Sequence, residues 1–323
     1  MAERVPYVVA TAHLARDITF LIYRPNDWEV FLAQLEKTTP ITVLQGSIDE
    51  LASLIEGLVC WQIPDDLLDR LNYLRWIQTT TSGADHLDPF LEKCGRQIIV
   101  STVKGMNADA VAEFALLAIL AQKWRLPLLL EQQHQRIWRT HGTIPSALCT
   151  CAILGVGEIG SRLAIYARQL GMRVLGVRRS PDPHTNVDEV FTFSDLDIVL
   201  PRADFVVLTL PLTYDTAKLI GARELSLMKP TSYLVNVSRG GVVDEAALLN
   251  ALGQQQIAGA LLDVAQLEPC PPDSPLWHAR NLVLTPHLAG QRSDYSEAAA
   301  QVWVNNVHRY AAGKLPRPLY RGR

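Results

Sequence analysis

The sequence predicts an α/β protein built as two doubly wound lobes. Three observations carry that expectation. Short apolar runs alternate with helical patterns over residues 18–100, the same alternation restarts near residue 151, and 323 residues are more than one core usually organises.

In the first block, apolar runs at 18–23, 41–44, 58–61, 74–78 and 98–100 have strand length, while residues 28–37 and 65–71 carry apolar side chains at helical spacing. Strands joined through helices pair in parallel and carry the helices on the sheet faces. Residues 107–124 are apolar on nearly every side, as in a helix buried against a second domain or subunit, and Pro127 marks its end or a kink. The second block opens with strand 151–154, helix 161–170 stopped by Gly171, and strand 172–177. Strands at 205–210, 233–237, 258–264 and 282–285 follow, and a long alanine-rich helix covers residues 293–312. In such a sheet, ligands gather at the carboxyl ends of the strands.

Composition narrows the classes of partner. A chain that is 48% hydrophobic and 20% charged, with a formal net charge of −3, has no general attraction for nucleic acid or anionic membranes. No apolar stretch approaches the roughly 20 residues that span a bilayer, and residues 1–12 lack the basic-then-apolar pattern of a secretory leader. Five cysteines, at 60, 94, 149, 151 and 270, are an odd number without metal-ligand spacing, which fits reduced thiols. The expectation is a cytoplasmic protein without a metal, nucleic-acid or membrane partner.

The first strand of the second block runs into Gly155-Val156-Gly157-Glu158-Ile159-Gly160. This G-x-G-x-x-G spacing lets backbone approach a pyrophosphate at a helix N-terminus, and strand, glycines, helix and second strand arrive in the required order. At the end of the second strand, where an acid usually reads the ribose hydroxyls, stand Arg178, Arg179 and Ser180. Solvated loop arginines would look the same. However, a guanidinium pairs bidentately with phosphate, Ser180 adds a hydroxyl donor, and no carboxylate awaits the ribose of NAD. The reading therefore favours NADP(H), with NAD(H) possible.

Three later segments end apparent strands with polar residues: Asn236 to Gly241, Asp263 to Pro269, and Thr285 to Gly290. Arg239, Glu268 and His287 would converge there. Hydride reduction of a carbonyl needs a proton donor, and histidine titrates near neutrality. A neighbouring carboxylate stabilises the imidazolium, and an arginine can bind an anionic substrate and polarise its keto oxygen. Each residue alone has a structural explanation, as a strand-end histidine, a loop acid or a surface arginine. Their joint occurrence behind a nucleotide fingerprint argues for chemistry.

Together, Gly155-x-Gly157-x-x-Gly160, Asn236-x-Ser238-Arg239-Gly240, Asp263-Val264 with Glu268-Pro269, and Ser274-Pro275-Leu276-Trp277 through Thr285-Pro286-His287 resemble the D-2-hydroxyacid dehydrogenases, in particular the glyoxylate and hydroxypyruvate reductases. Leu210-Pro211-Leu212-Thr213 and Thr216 look like that family's segment beside the adenosine, and Thr81 to Asp88 is similar to its substrate-binding turn. The resemblance spans roughly residues 58–290. It implies a Rossmann cofactor domain at 104–285, inserted in a flavodoxin-like substrate domain formed by 1–103 and 286–323. It further implies His287 as acid/base, Glu268 as its partner and Arg239 as substrate clamp. Asp263 and the Val237–Ser238 backbone would address the nicotinamide, with His287 and Gly290 as further coenzyme contacts. Ser82, Gly83 and Ala84 would meet the substrate carboxylate.

Two features refine the expectation. Arg178 replaces the family's usual acid, and Glu268 stands where formate-oxidising relatives carry glutamine. The resulting expectation is an NADPH-preferring reductase of small 2-keto acids that yields D-2-hydroxy acids. Family members are commonly homodimers, and Trp138 is either an interface aromatic or a residue reaching the partner's site. An NAD-linked phosphoglycerate dehydrogenase-like enzyme and a dinucleotide-sensing corepressor-like protein stand as alternatives.

Overall fold

A computed structural model of the chain describes residues 7–23, 27–64 and 66–320. The described residues form two compact units, 1–107 with 292–323 and 108–291. The crossings fall after Asn107 and Gln291, later than the 103 and 285 expected, so His287 and Gly290 belong to the second unit.

The first unit holds a six-stranded sheet: β1 (Val8–Ala12), β2 (Ile18–Tyr23), β3 (Ile41–Leu44), β4 (Ile55–Cys60), β5 (Trp76–Thr79) and β6 (Ile99–Ser101), in the order β3-β1-β2-β4-β5-β6. The expected all-parallel pairing holds from β2 to β6 and fails at β1, which runs antiparallel to both β2 and β3. A short connection between β1 and β2 suffices for an antiparallel pair, whereas parallel strands need a long crossover. Reading only the strand–helix rhythm misses such a hairpin. Asp65, the first residue of the expected helix 65–71, lies outside the described residues; the helix observed there is Leu67–Arg70. Phe20, Phe31, Trp76 and Trp303 anchor one core of this unit, with Trp303 supplied by the helix Tyr295–Ala311. Phe20 makes edge-on contacts with both tryptophans, at ring-centroid distances of 5.6 and 5.5 Å.

The second unit holds seven strands, all parallel: β7 (Thr150–Leu154), β8 (Arg173–Val177), β9 (Glu189–Phe191), β10 (Phe205–Leu208), β11 (Tyr233–Asn236), β12 (Gly259–Leu262) and β13 (Leu282–Leu284). Their order, β13-β12-β11-β10-β7-β8-β9, reverses direction between β7 and β10. That reversal opens the crevice where a doubly wound sheet takes its ligand. The helix Ala108–Lys123 is buried through Val111, Ala112, Ala115, Ala118 and Ile119 against the helix Glu158–Gln169, β11 and β12 of the same unit. Pro127 does not end it. It sits in the first turn of a separate helix, Leu126–His134, where its missing N–H costs no hydrogen bond. No helix of the described residues is long and apolar enough to cross a membrane.

Candidate active site

The fingerprint glycines perform three separate tasks. Gly155 leaves β7 with φ +105°, and a Cβ there would lie 2.8 Å from the Thr209 carbonyl oxygen. Gly157 is the N-cap of the helix Glu158–Gln169, and a Cβ on it would meet nothing within 4 Å, so its backbone is open to a ligand. Gly160 lies inside that helix, which therefore starts earlier than the expected 161. A Cβ on Gly160 would lie 2.1 Å from the Gly155 carbonyl oxygen, so only glycine lets helix and strand approach this closely. Thr209, which no sequence signal singled out, donates its hydroxyl to that same carbonyl at 2.6 Å and ties β10 to the turn. This cradle fits the pyrophosphate of a dinucleotide: open backbone, a helix N-terminus, and no side chain in the way.

At the far end of β8, the Arg178 N–H donates to the Phe191 carbonyl at 2.9 Å, pinning the strand end to β9. Arg178 is half-buried and Arg179 exposed. Ser180 does not present a free hydroxyl as expected: it donates to Asp182, two residues on. Two other coenzyme candidates hold their own loops. Thr216 donates to the Pro211 carbonyl at 2.7 Å and accepts the Thr213 N–H at 2.8 Å, while Leu210 is buried. Ser238 gives both its N–H and its hydroxyl to the Asn236 carboxamide oxygen, at 3.0 and 2.7 Å.

Asn236, at the end of β11, also donates to the Arg239 carbonyl at 3.0 Å, so one buried side chain shapes the whole turn. The Arg239 guanidinium donates to the Ser238 carbonyl at 2.8 Å. The next residue is glycine by necessity: a Cβ on Gly240 would lie 2.0 Å from the Ala265 carbonyl carbon. This contact stacks the Arg239 turn directly on the loop that carries Glu268.

Asp263 ties the later strands together. Only 1% exposed, its carboxylate accepts the Thr285 hydroxyl at 2.6 Å and the Leu288 and Ala289 N–H groups at 2.9 Å each. The Asp263 carbonyl accepts the His287 N–H at 2.8 Å. These bonds hold the 285–289 loop so firmly that His287 sits at φ +51°, a left-handed conformation that non-glycine residues adopt rarely and often at functional positions. Asp263 therefore organises the histidine loop.

His287 and Glu268 meet directly, with Nδ1 and Oε2 2.7 Å apart. The other carboxylate oxygen, Oε1, accepts the Ala265 N–H at 2.9 Å, which orients Glu268. The hydrogen bond to Glu268 raises the His287 pKa; burial opposes it, the Glu268 charge adds to it, Arg239 opposes and Asp263 assists. For Glu268, burial pushes the pKa up, but the bonds from His287 and the Ala265 N–H, with the charges of His287 and Arg239, bring it below its ordinary value. Arg239, Glu268 and His287 thus lie within one another's electrostatic reach on the second unit. With Nδ1 committed to Glu268, Nε2 is the nitrogen left to exchange a proton. A strand-end pair of this kind favours the protonated ring and can release its proton to a developing alkoxide.

On the first unit, Ser82, Gly83 and Ala84 follow the carboxyl end of β5, with the Thr81 hydroxyl donating to the Gly83 carbonyl at 2.5 Å. His86 donates from Nε2 to the Trp61 carbonyl at 2.7 Å, linking the loops after β4 and β5. Among the described residues there is no cluster of three or more metal-ligating side chains.

The family model described as D-isomer specific 2-hydroxyacid dehydrogenase, NAD binding domain, matches residues 116–289. The chain belongs to the D-isomer specific 2-hydroxyacid dehydrogenase family. It is 32% identical over 301 residues to a glyoxylate reductase of Thermococcus gammatolerans, covering 90% of this chain and 89% of that one. Among solved structures, it superposes with a TM-score of 0.81 on a family member from Xanthobacter autotrophicus in complex with NADPH and MES, at 27% identity over 93% of this chain and 96% of that one. An NADPH-dependent glyoxylate/hydroxypyruvate reductase from Sinorhizobium meliloti, in complex with NADP and sulfate, matches with a TM-score of 0.76 and 26% identity, covering 82% and 84% of the two chains. The chain is accordingly an NAD(P)-dependent oxidoreductase.

Proposed function

We propose that this protein reduces small 2-keto acids of the glyoxylate and hydroxypyruvate type to D-2-hydroxy acids, with NADPH preferred over NADH. The observation that carries the reading is the 2.7 Å His287–Glu268 pair beside Arg239, in the unit whose β8 ends on Arg178 and Arg179. The names of the related reductases support it.

The residues divide the work. Gly155, Gly157, Glu158, Ile159 and Gly160 take the pyrophosphate, and Arg178 and Arg179 take a 2′-phosphate, with Ser180 free to join only by leaving Asp182. The bound coenzyme supplies the hydride. Arg239 pairs with the substrate carboxylate and polarises the adjacent keto oxygen. His287 holds a proton at Nε2 and delivers it to that oxygen, and Glu268 keeps the imidazole charged until it does so. Ser82 to Ala84 form the first unit's anion-binding turn.

We also assign a homodimer contact to residues 126–148, where Leu126, Leu130, Ile137, Ile144 and Leu148 are exposed and Trp138 is 100% exposed. A cytoplasmic setting, with no nucleic-acid or membrane partner, completes the reading.

Steady-state assay of glyoxylate and hydroxypyruvate, each with NADPH and with NADH, tests it. Turnover of at least one acid with a higher kcat/KM for NADPH is expected. No turnover with any 2-keto acid would reject the activity, and equal use of NADH would reject the preference.

A further inference from the structure

We propose that His184 is a third reader of the coenzyme's 2′-phosphate, so that preference for the phosphorylated coenzyme rises as pH falls. The proposal rests on the assignment of that phosphate to Arg178 and Arg179.

His184 lies in the connection between β8 and β9, and its placement is built from both sides. The Asn186 N–H donates to Nδ1 at 3.3 Å, which leaves the ring proton on Nε2. The Asn186 carboxamide in turn donates to the Ser161 hydroxyl at 2.7 Å, fastening this stretch to the first turns of the fingerprint helix. Arg178, at the end of β8, is close enough for its charge to act on the ring. The partly buried imidazole therefore belongs to the wall shared by the fingerprint helix and the arginine end of β8.

The charged groups around it come from every neighbouring element. Arg178 stands at the strand end, and Asp182, bonded to Ser180, shares the loop. Arg168 of the fingerprint helix donates to the Thr185 carbonyl at 3.1 Å and pairs with Asp188 at 3.4 Å. Burial and the Arg178 charge both push the His184 pKa below its ordinary value. Without a ligand the ring is thus neutral at neutral pH and adds no repulsion to two adjacent guanidiniums. A phosphate ester carrying nearly two negative charges reverses that balance, because opposite charge favours the imidazolium. Binding then takes up one proton at His184. By linkage, affinity for the phosphorylated coenzyme rises as pH falls through the interval between the free and bound pKa values, while affinity for NADH does not.

The test is equilibrium binding of NADPH and NADH to the whole chain, followed by coenzyme fluorescence from pH 6 to pH 8, for the unaltered protein, His184→Gln and His184→Lys. The phosphate's own protonation near pH 6 acts equally on all three, so His184→Gln supplies the baseline. At pH 6 the Kd ratio of NADH to NADPH should exceed that of His184→Gln by about tenfold, one linked proton allowing at most a tenfold change per pH unit. The two proteins should converge at pH 8, and His184→Lys should keep the high ratio at both ends. Equal ratios for the unaltered protein and His184→Gln at pH 6 would overturn the proposal, as would an equal loss of NADH affinity in the variant. If the unaltered protein prefers NADPH but His184→Gln keeps its profile, only the histidine assignment falls. If the unaltered protein binds NADH as tightly at every pH, the arginine assignment falls with it.

Discussion

The two ends of the coenzyme crevice are built on opposite principles. At the catalytic end, Asn236, Asp263 and Glu268 are almost fully committed to backbone donors and acceptors, and they fix Arg239 and His287 to neighbouring loops. At the other end, Arg178, Arg179, Asp182 and His184 follow β8 on a connection whose side-chain ties are local, Asp182 to Ser180 and His184 to the Asn186 N–H. The difference follows from what each end must do. Proton transfer falls steeply with misplacement of the donor, so its supports are saturated with hydrogen bonds, and Asn236 and Asp263 are buried. Recognition of a charged ester tolerates a mobile arrangement, because Coulomb attraction is long-ranged and weakly directional.

Substitutions at the catalytic end should therefore strike turnover, and substitutions at the other end should strike coenzyme choice. The largest effect is expected from His287→Ala: kcat for reduction should fall by about a hundred- to ten-thousand-fold, with the Kd of NADPH little changed. Retained turnover would remove His287 from its role. Next comes Asp263→Ala, which orphans the Thr285, Leu288 and Ala289 donors. Chemical denaturation should show a loss of about 3 kcal/mol or more, together with a lower kcat; stability within error of the parent would show that the loop holds itself.

Arg178→Asp moves to the opposite end. NADPH should bind about ten- to a hundredfold more weakly relative to NADH, the loss of one charge-assisted pair and the gain of a repulsion, and an unchanged Kd ratio by fluorescence titration would refute the phosphate assignment. The smallest effect is a shift rather than a loss. Glu268 holds the His287 pKa up, and reduction needs the protonated ring, so activity is lost as pH rises through that pKa. In Glu268→Gln the pKa drops, and the alkaline limit of reduction should move to lower pH. A pH–rate profile that does not move would make Glu268 purely structural.

Legibility in the sequence tracks this same division. The fingerprint glycines were readable because Gly155 and Gly160 answer backbone demands that no other residue meets, and spacing alone encodes them. His287, Glu268 and Arg239 were readable because they end strands in a βα block. By contrast, nothing in a run of Arg178, Arg179 and Ser180 tells that Asp182 folds back onto the Ser180 hydroxyl. The position of Asp263 in its motif is visible in the sequence, whereas its three donors, more than twenty residues later, are not. The hairpin strand β1 and the start of the fingerprint helix at Glu158 were missed for a related reason: local patterns were weighed without the partner that overrode them.

From the sequence alone, then, came the α/β architecture, the dinucleotide fingerprint and Glu268 and His287 as the candidate pair, because periodicity and glycine spacing are local consequences of backbone geometry. Only the tertiary structure decided which polar groups are already spent on one another. A hydrogen bond between residues 263 and 289 exists only once β12 and β13 lie side by side, and a carboxylate buried there must be satisfied wherever it finds donors. The same closure sets His287 against Glu268 and leaves Nε2 as the nitrogen with a proton to give.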